Sequence, residues 1–342
     1  MTLYHILLLG VVLTALYLAV VLQLFVVRFT NAIRARRREI IEQEWLPVLA
    51  AEGDAPDAPL PELRARDVVP FLTLWNQLQE SFVGDIKTHL NAVGRKAGID
   101  GIAHRLLDSR RLSERLIAVS TLGHLRDRDS WDVLVRMTTD PDGLLSLAAA
   151  RALTRIDPAR ALPVILPLAA QRDDWSRNYV LGMLSDLGAD VVSQPLTEAA
   201  LMMSPDSAHR LVQYFTVAHV SDALPVVRTI IGRTRNVECV AACLRAFADV
   251  DHLDTVRDYL YHPAWQVRVQ AVNVLGRLGS HDDTRAILPL LSDPEWWVRY
   301  RAAKALCALP GVELAALRSL STQHVDAFAR DMLVHVLAEA KA

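Results

Sequence analysis

The stretch WQVRVQAVNVLGRL, residues 265–278, recurs as WWVRYRAAKALCAL at residues 296–309. Tryptophan, valine-arginine, alanine and leucine coincide in the two copies at a spacing of 31 residues. A repeat of about this length, made of two helical blocks separated by polar turns, is typical of an α-solenoid, in which each helix pair buries its apolar face against its neighbours. The sequence therefore predicts an all-α fold of stacked helix pairs.

The same period continues from about residue 100 to the end of the chain. The small or apolar residue at the middle of each second helix recurs every 30 or 31 positions, at Ala118, Ala149, Val180, Leu211, Ala241, Ala271, Ala302 and Leu333. Several turns before these helices contain proline after aspartate, serine or histidine. Proline suits the first turn of a helix, and aspartate or serine can cap it. We therefore predict about eight helix-turn-helix repeats over residues 100–342.

The sixth and seventh repeats carry the details of a known motif. The residues that carry it are Asp293-Pro294, Val298-Arg299, Ala302 and Ala305-Leu306 and, one repeat earlier, Val267-Arg268, Ala271 and Leu275-Gly276. This pattern resembles a HEAT repeat of the short, phycobilisome-lyase-like kind, and it fades in the fourth and fifth repeats, where Ala208 and Glu238 replace the arginine. The resemblance implies a right-handed superhelix whose second helices line the concave side and which mostly holds other proteins.

The N-terminus has a different character, because the first 27 residues contain no charged side chain. As a helix, Leu3–Val27 would be roughly 37 Å long, enough to cross a hydrocarbon core of about 30 Å. The run lacks the basic start and the small-residue cleavage site of a secretory signal peptide. Residues 1–27 are therefore predicted to form a transmembrane helix.

Arginines follow this run, and neither lysine nor arginine precedes them. The membrane-flanking residues are Arg28, Arg34, Arg36, Arg37 and Arg38. By the positive-inside rule, the arginine side stays in the cytoplasm, and the same side chains can contact anionic lipid headgroups. We predict a single-pass protein of the inner (cytoplasmic) membrane, with its N-terminus outside and its repeats in the cytoplasm.

Three segments lie between the predicted span and the repeats. Residues 28–50 combine the arginines with helical apolar spacing and predict a basic juxtamembrane stalk. Residues 51–61 are rich in proline and acid and predict a linker. Residues 62–99 contain helical spacing without a clean copy of the repeat, and we interpret them as an N-terminal helical cap that covers the first repeat.

Composition and motifs give little support for catalysis. The formal net charge is −2, and the chain outside the arginine-rich segment is more acidic still, which makes nucleic acid a poor ligand. Cys239 and Cys243 share a helix face, but no further ligands stand at a metal-site spacing, so they are predicted to be core thiols. No phosphate-binding loop, dinucleotide motif, nucleophile elbow or HExxH motif occurs. We predict no enzymatic activity, no cofactor and no metal.

Arginines in one register offer two interpretations. They stand three residues before the central small residue of their repeats, at Arg115, Arg177, Arg268, Arg299 and Arg330. Bidentate pairing with aspartates and carbonyls of the neighbouring turn is the structural interpretation. The alternative is a site for an anion or an acidic partner.

Aromatic residues crowd the starts of the sixth and seventh second helices. They can wedge between repeats as core or anchor a partner, since tryptophan and arginine are enriched at binding hot spots. Trp297, Tyr300 and Arg301 share one helix face, separate from the inward stripe, and that face is predicted to be open. The predicted partner-binding residues are Trp265, Trp296, Trp297, Tyr300, Arg301, Arg268 and Arg299.

These features predict a membrane-anchored cytoplasmic scaffold that binds and positions a protein partner, itself membrane-associated. A membrane enzyme such as an exopolysaccharide glycosyltransferase is one example. The repeat resemblance also suggests two alternatives, a bilin-lyase-like enzyme or chaperone and a HEAT-like alkylpurine DNA glycosylase. The predicted anchor argues against both.

Overall fold

A computed structural model describes residues 2–51 and 60–339 of the chain, and every regular element in those ranges is helical. The predicted linker, residues 51–61, falls mostly outside the described residues. The chain divides into two compact units, Met1–Ile156 and Asp157–Ala342. We call them the N-terminal unit and the C-terminal unit.

The N-terminal unit contains the first seven helices. They are α1 (Thr2–Leu49), α2 (Val68–Ser81), α3 (Asp85–Lys96), α4 (Ile99–Leu107), α5 (Leu112–Leu125), α6 (Trp131–Met137) and α7 (Gly143–Ile156). The pairs α4–α5 and α6–α7 correspond to the first two predicted repeats. Their second helices, α5 and α7, pack directly on each other.

The core of the N-terminal unit begins on α1. Trp45 and Leu49, near the end of this helix, are fully buried, and the Trp45 ring lies 4.3 Å from the ring of Phe71 on α2. On α2, Trp75 is also buried, and its indole Nε1 donates a hydrogen bond to the carbonyl of Leu90 on α3 at 2.9 Å. The end of the predicted stalk and the predicted cap therefore share one hydrophobic core.

The prediction of a membrane span rests on Leu3–Val27, and most side chains of that run lie outside the described residues. Among the residues that are described, no helix has both the length and the apolar character needed to cross a membrane.

The C-terminal unit contains the remaining helices. They are α8 (Pro158–Gln171), α9 (Arg177–Leu187), α10 (Ala189–Met202), α11 (Pro205–Val212), α12 (Val220–Arg233), α13 (Val237–Ala246), α14 (Leu253–Asp258), α15 (Trp265–Leu278), α16 (Thr284–Ile287), α17 (Trp296–Ala308), α18 (Leu314–Gln323) and α19 (Ala327–Glu339). Short 3-10 turns at Tyr259–Tyr261 and Leu288–Ser292 extend α14 and α16. Consecutive second helices stack, with α13 on α15, α15 on α17 and α17 on α19.

The eight central residues that define the sequence period are all buried. Two glycines show how closely second helices approach each other. A Cβ at Gly276 of α15 would lie 2.8 Å from the Cβ of Ala305 on α17, and a Cβ at Gly123 of α5 would lie 2.8 Å from the Cα of Ala152 on α7. This packing of helix pairs is consistent with an α-solenoid.

Candidate protein-binding surface

Arg268, one of the predicted partner-binding residues, is occupied within the fold. Its Nε and Nη2 each donate to an Asp293 carboxylate oxygen at 2.8 Å, and its Nη1 donates to the carbonyls of His262 and Pro263 at 2.9 and 3.0 Å. Only 11% of the Arg268 side chain and 5% of the Asp293 side chain are exposed. Arg268 therefore joins the turn before its own helix to the turn of the next repeat. This is the first of the two roles considered for the recurring arginines, pairing with an aspartate and carbonyls of the turns.

The same bonds recur along the array. Nη1 of Arg299 donates to the carbonyls of Asp293 and Pro294, and Nη1 of Arg330 donates to those of His324 and Val325. The residue equivalent to Asp293 in the following repeat is His324, so Arg299 has no carboxylate at that position. Its guanidinium instead lies 5.2 Å from the centre of the Phe328 ring, and no described residue forms a hydrogen bond with its buried Nε.

The aromatic residues of α17 form a cluster at the surface. Trp296 is 43% exposed and Trp297 is 51% exposed. The rings of Trp296 and Tyr300 stack at 5.1 Å and 10°, while Trp297 meets Trp296 edge-on at 4.7 Å. The inward stripe of the same helix, at Val298 and Ala302, is fully buried. One face of α17 thus packs in the core, while the other presents two exposed indole rings.

Cations and α19 complete this cluster. The Arg301 guanidinium lies 5.8 Å and the Lys304 ammonium 5.2 Å from the centre of the Tyr300 ring. The Tyr300 hydroxyl donates to Glu339 of α19 at 3.0 Å, and Lys304 pairs with the same carboxylate at 3.3 Å. Tyr300 lowers the pKa of Glu339 and raises that of Lys304 through hydrogen bonds. We call Trp296, Trp297, Tyr300, Arg301, Lys304 and Glu339 the aromatic–cation cluster.

The sequence prediction omitted two members of this cluster and one neighbour. Lys304 had a usable signal, because it stands four residues after Tyr300 on the same helix, α17. Glu339 had none, because it lies on α19 and shares no repeat position with the other members. Phe328, which is 66% exposed, had a usable signal, because it stands 31 residues after Trp297. Trp265, by contrast, is half-buried, and no ring contact joins it to the cluster among the described residues.

The predicted membrane-flanking arginines lie along α1. Arg28, Arg36 and Arg38 are exposed and Arg37 is partly exposed, whereas the Arg34 side chain lies outside the described residues. Arg38 pairs with Glu42 at 2.9 Å and donates to the amide oxygen of Gln77 on α2, also at 2.9 Å. Arg38 therefore also joins α1 to α2.

The cysteines have the character of core thiols. Cys239 and Cys243 are buried on α13, and a hydrogen bond with Cys239, together with burial, raises the pKa of the Cys243 thiol. Within the described part of the chain, no group of three or more His, Cys, Asp or Glu side chains is arranged to hold a metal ion.

Comparison with known proteins identifies the repeats. The HEAT-repeat family model matches residues 99–185, 226–307 and 253–338, which together exceed half of the chain. No curated protein matches the sequence. The crystal structure of an engineered protein aligns over 89% of each chain with 14% identity and a TM-score of 0.36, a likeness too low to support any argument. On the extent of the family match, the chain belongs to the HEAT-repeat family.

Proposed function

We propose that this HEAT-repeat chain is a scaffold that holds a protein partner at the aromatic–cation cluster of its C-terminal unit. The exposure of Trp296 and Trp297 carries the proposal. Large apolar side chains that stand together at a surface mark interaction sites more often than isolated ones do. HEAT repeats generally mediate protein–protein interaction, and tryptophan, tyrosine and arginine are the residue types enriched at binding hot spots.

The chemistry of the cluster indicates what the partner presents. Trp296 and Trp297 offer apolar ring surface, and the Arg301 cation stands at its edge with no ion-pair partner among the described residues. A partner segment that places an aliphatic or aromatic side chain beside a carboxylate would satisfy both. Such a segment buries the rings and pairs the cation, so the proposed ligand is an acidic, partly apolar stretch of protein.

The proposal also includes anchoring at the cytoplasmic face of the membrane. Its support is the uncharged run Leu3–Val27, followed by five arginines and preceded by none. An anchored scaffold meets other membrane proteins first, so the partner class we propose is a membrane enzyme, for example an exopolysaccharide glycosyltransferase. The scaffold itself carries out no reaction in this proposal.

The test is a double substitution, Trp297→Ala with Arg301→Ala, in the full-length chain. Capture of partners from detergent-solubilised membranes is compared with thermal melting of the same variant. We expect binding to weaken by about 30-fold or more, equivalent to about 2 kcal/mol, because hot-spot truncations have that size. Melting is expected to change little, because Val298 and Ala302 still fill the core.

A matched control removes an exposed apolar residue and an exposed cation elsewhere in the same unit, by Met202→Ala with Arg233→Ala. The control is expected to capture the partner as the wild type does. If the Trp297/Arg301 variant fails to fold, the two residues belong to the core. If it folds and captures normally, the surface lies elsewhere and the proposal fails.

A further inference from the structure

The N-terminal unit contains a cleft that the proposed scaffold function does not use. Its volume is about 390 Å³, within the range of about 300 to 1,000 Å³ typical of small-ligand sites. Helices α2, α3, α5 and α7 all contribute to its walls. Three cationic side chains line it, those of Lys87, Arg126 and Arg155. The described residues that line it include no carboxylate and no phenylalanine, tyrosine or tryptophan. We call it the basic cleft.

Packing of α5 against α7 brings two of the lining residues together. Gly123 lets α5 approach Ala152 of α7. Beside this contact His124, which follows Gly123, meets Arg155, which stands three residues after Ala152. Nη1 of Arg155 lies 3.0 Å from Nε2 of His124, and its Nη2 donates to Glu80 at 2.6 Å. The Arg155 guanidinium is therefore held in a fixed position at the wall of the cleft.

His124 adds a polar group without adding a charge. Burial and the neighbouring Arg155 lower the pKa of His124 to about 3, so the ring is neutral near pH 7. Because an arginine can only donate, Nε2 of His124 accepts and Nδ1 carries the proton. Glu80 offsets the charge of Arg155, but Lys87 and Arg126 have no ion-pair partner among the described residues.

The backbone at Arg126 is unusual. This residue has φ 51° and is the one non-glycine residue with positive φ in the described ranges. It follows the last turn of α5, where glycine is the common choice because it adopts that conformation without strain. The chain thus keeps a cation at a position that would suit glycine better, and strained residues of this kind concentrate at functional sites.

We propose that the basic cleft binds the phosphate group of a small, phosphorylated polyol. Lys87 and Arg126 supply the uncompensated positive charge that a phosphate monoester or diester anion requires, and Arg155 adds fixed donors. Thr88 and Gln79 also line the cleft, and the Thr88 hydroxyl can bond to the ligand's hydroxyls. The Gln79 amide nitrogen donates to Asn91 at 2.9 Å, so Gln79 can offer the ligand its carbonyl oxygen as an acceptor. The absence of an aromatic wall favours a sugar-like body over a nucleobase.

Two classes of molecule carry a phosphorylated polyol: free sugar phosphates and phospholipids, in their headgroups. Two probes separate them: glucose 6-phosphate and dihexanoyl phosphatidylglycerol, a lipid short enough to dissolve as a monomer. Binding of each to the purified full-length chain in mild detergent is measured by calorimetry, with glucose as the uncharged comparison. Binding of either phosphorylated probe, without binding of glucose, is the expected result, and the tighter probe identifies the source.

Two variants locate the binding. Lys87→Gln and Arg126→Gly are each expected to weaken the affinity about tenfold or more, as the loss of a charge-assisted hydrogen bond does. Arg128→Gln, which removes an exposed cation from the same turn outside the cleft, is the control and is expected to bind as the wild type does.

Folding is checked on the same variants. Arg126→Gly is expected to melt at or above the wild-type temperature, because glycine adopts the positive φ without strain, so its loss of binding is separable from a loss of structure. The proposal is overturned if neither phosphorylated probe binds, or if both variants bind them with wild-type affinity. Because every readout concerns the N-terminal unit, these results are independent of partner capture by the aromatic–cation cluster.

Discussion

Arg268 shows how a single side chain can stabilise the junction between two repeats. Arg268→Ala would leave the Asp293 carboxylate buried without its partner, a change that costs about 3 kcal/mol or more. Arg299→Ala is the comparison, because Arg299 makes the same two carbonyl contacts but meets the Phe328 ring and, within the described ranges, no carboxylate. Its loss is expected to cost about 1 kcal/mol. Urea unfolding measures both, and equal losses would show that the carboxylate pair contributes nothing.

A second single residue, His124, makes the free energy of unfolding depend on pH. Its folded-state pKa of about 3 lies below the unfolded value of 6.5, so the unfolded chain binds the extra proton first. Its contribution to stability is therefore present above pH 6.5 and is lost as the pH falls towards 3. Arg155 and Lys87 oppose protonation and Glu80 favours it. Between pH 7 and pH 5 the free energy of unfolding is expected to fall by about 2 kcal/mol from this group.

The measurement is urea unfolding at both pH values, followed by circular dichroism. His124→Gln provides the comparison, because an amide oxygen can still accept from Arg155 but does not titrate. The variant should lose about 2 kcal/mol less than the wild type on acidification. If the variant and the wild type lose the same free energy of unfolding between pH 7 and pH 5, His124 binds its proton equally well in the folded and unfolded states, which would contradict the prediction.

At the scale of helices, glycine sets the distance between α15 and α17. Gly276→Ala would place a Cβ 2.8 Å from that of Ala305, so the helices must separate at a cost of about 1 to 3 kcal/mol. Gly182→Ala on α9 is the control, because nothing lies within 4 Å of its added Cβ. There the higher helix propensity of alanine should stabilise by up to about 1 kcal/mol. Thermal melting should move in opposite directions, and a shift of the same sign would contradict the close-packing argument.

Sequence periodicity worked at this scale for a physical reason. In a stacked array, the residue at the middle of each second helix is buried against the neighbouring repeats, so it must be small or apolar. The eight central positions from Ala118 to Leu333 all meet this condition. The basic cleft could not be found in this way. Lys87, Arg126 and Arg155 come from three separate parts of the chain, occupy no common repeat position and line one cleft only in the folded unit. Likewise, nothing local in the sequence pairs Tyr300 with Glu339.

For the whole molecule, the proposed anchor predicts the location of the C-terminus. Alkaline phosphatase fused after Ala342 is expected to be inactive, because the enzyme needs an oxidising compartment, and a fluorescent protein at the same place is expected to be bright. Replacing the five membrane-flanking arginines with glutamine should mix the two orientations, because the charge asymmetry is lost. An active phosphatase fusion on the unaltered chain would reverse the proposed topology.

The helix α1 runs from Thr2 to Leu49 without a break, and the core of the N-terminal unit holds its last turns through Ile41, Trp45 and Leu49. At about 1.5 Å per residue, a helix of 48 residues is roughly 72 Å long. Such a helix connects its two ends as a semi-rigid rod, unlike a flexible linker. A tilt applied near Thr2 would therefore be passed on in large part to the α2–α3 core and to the first repeats that pack on it.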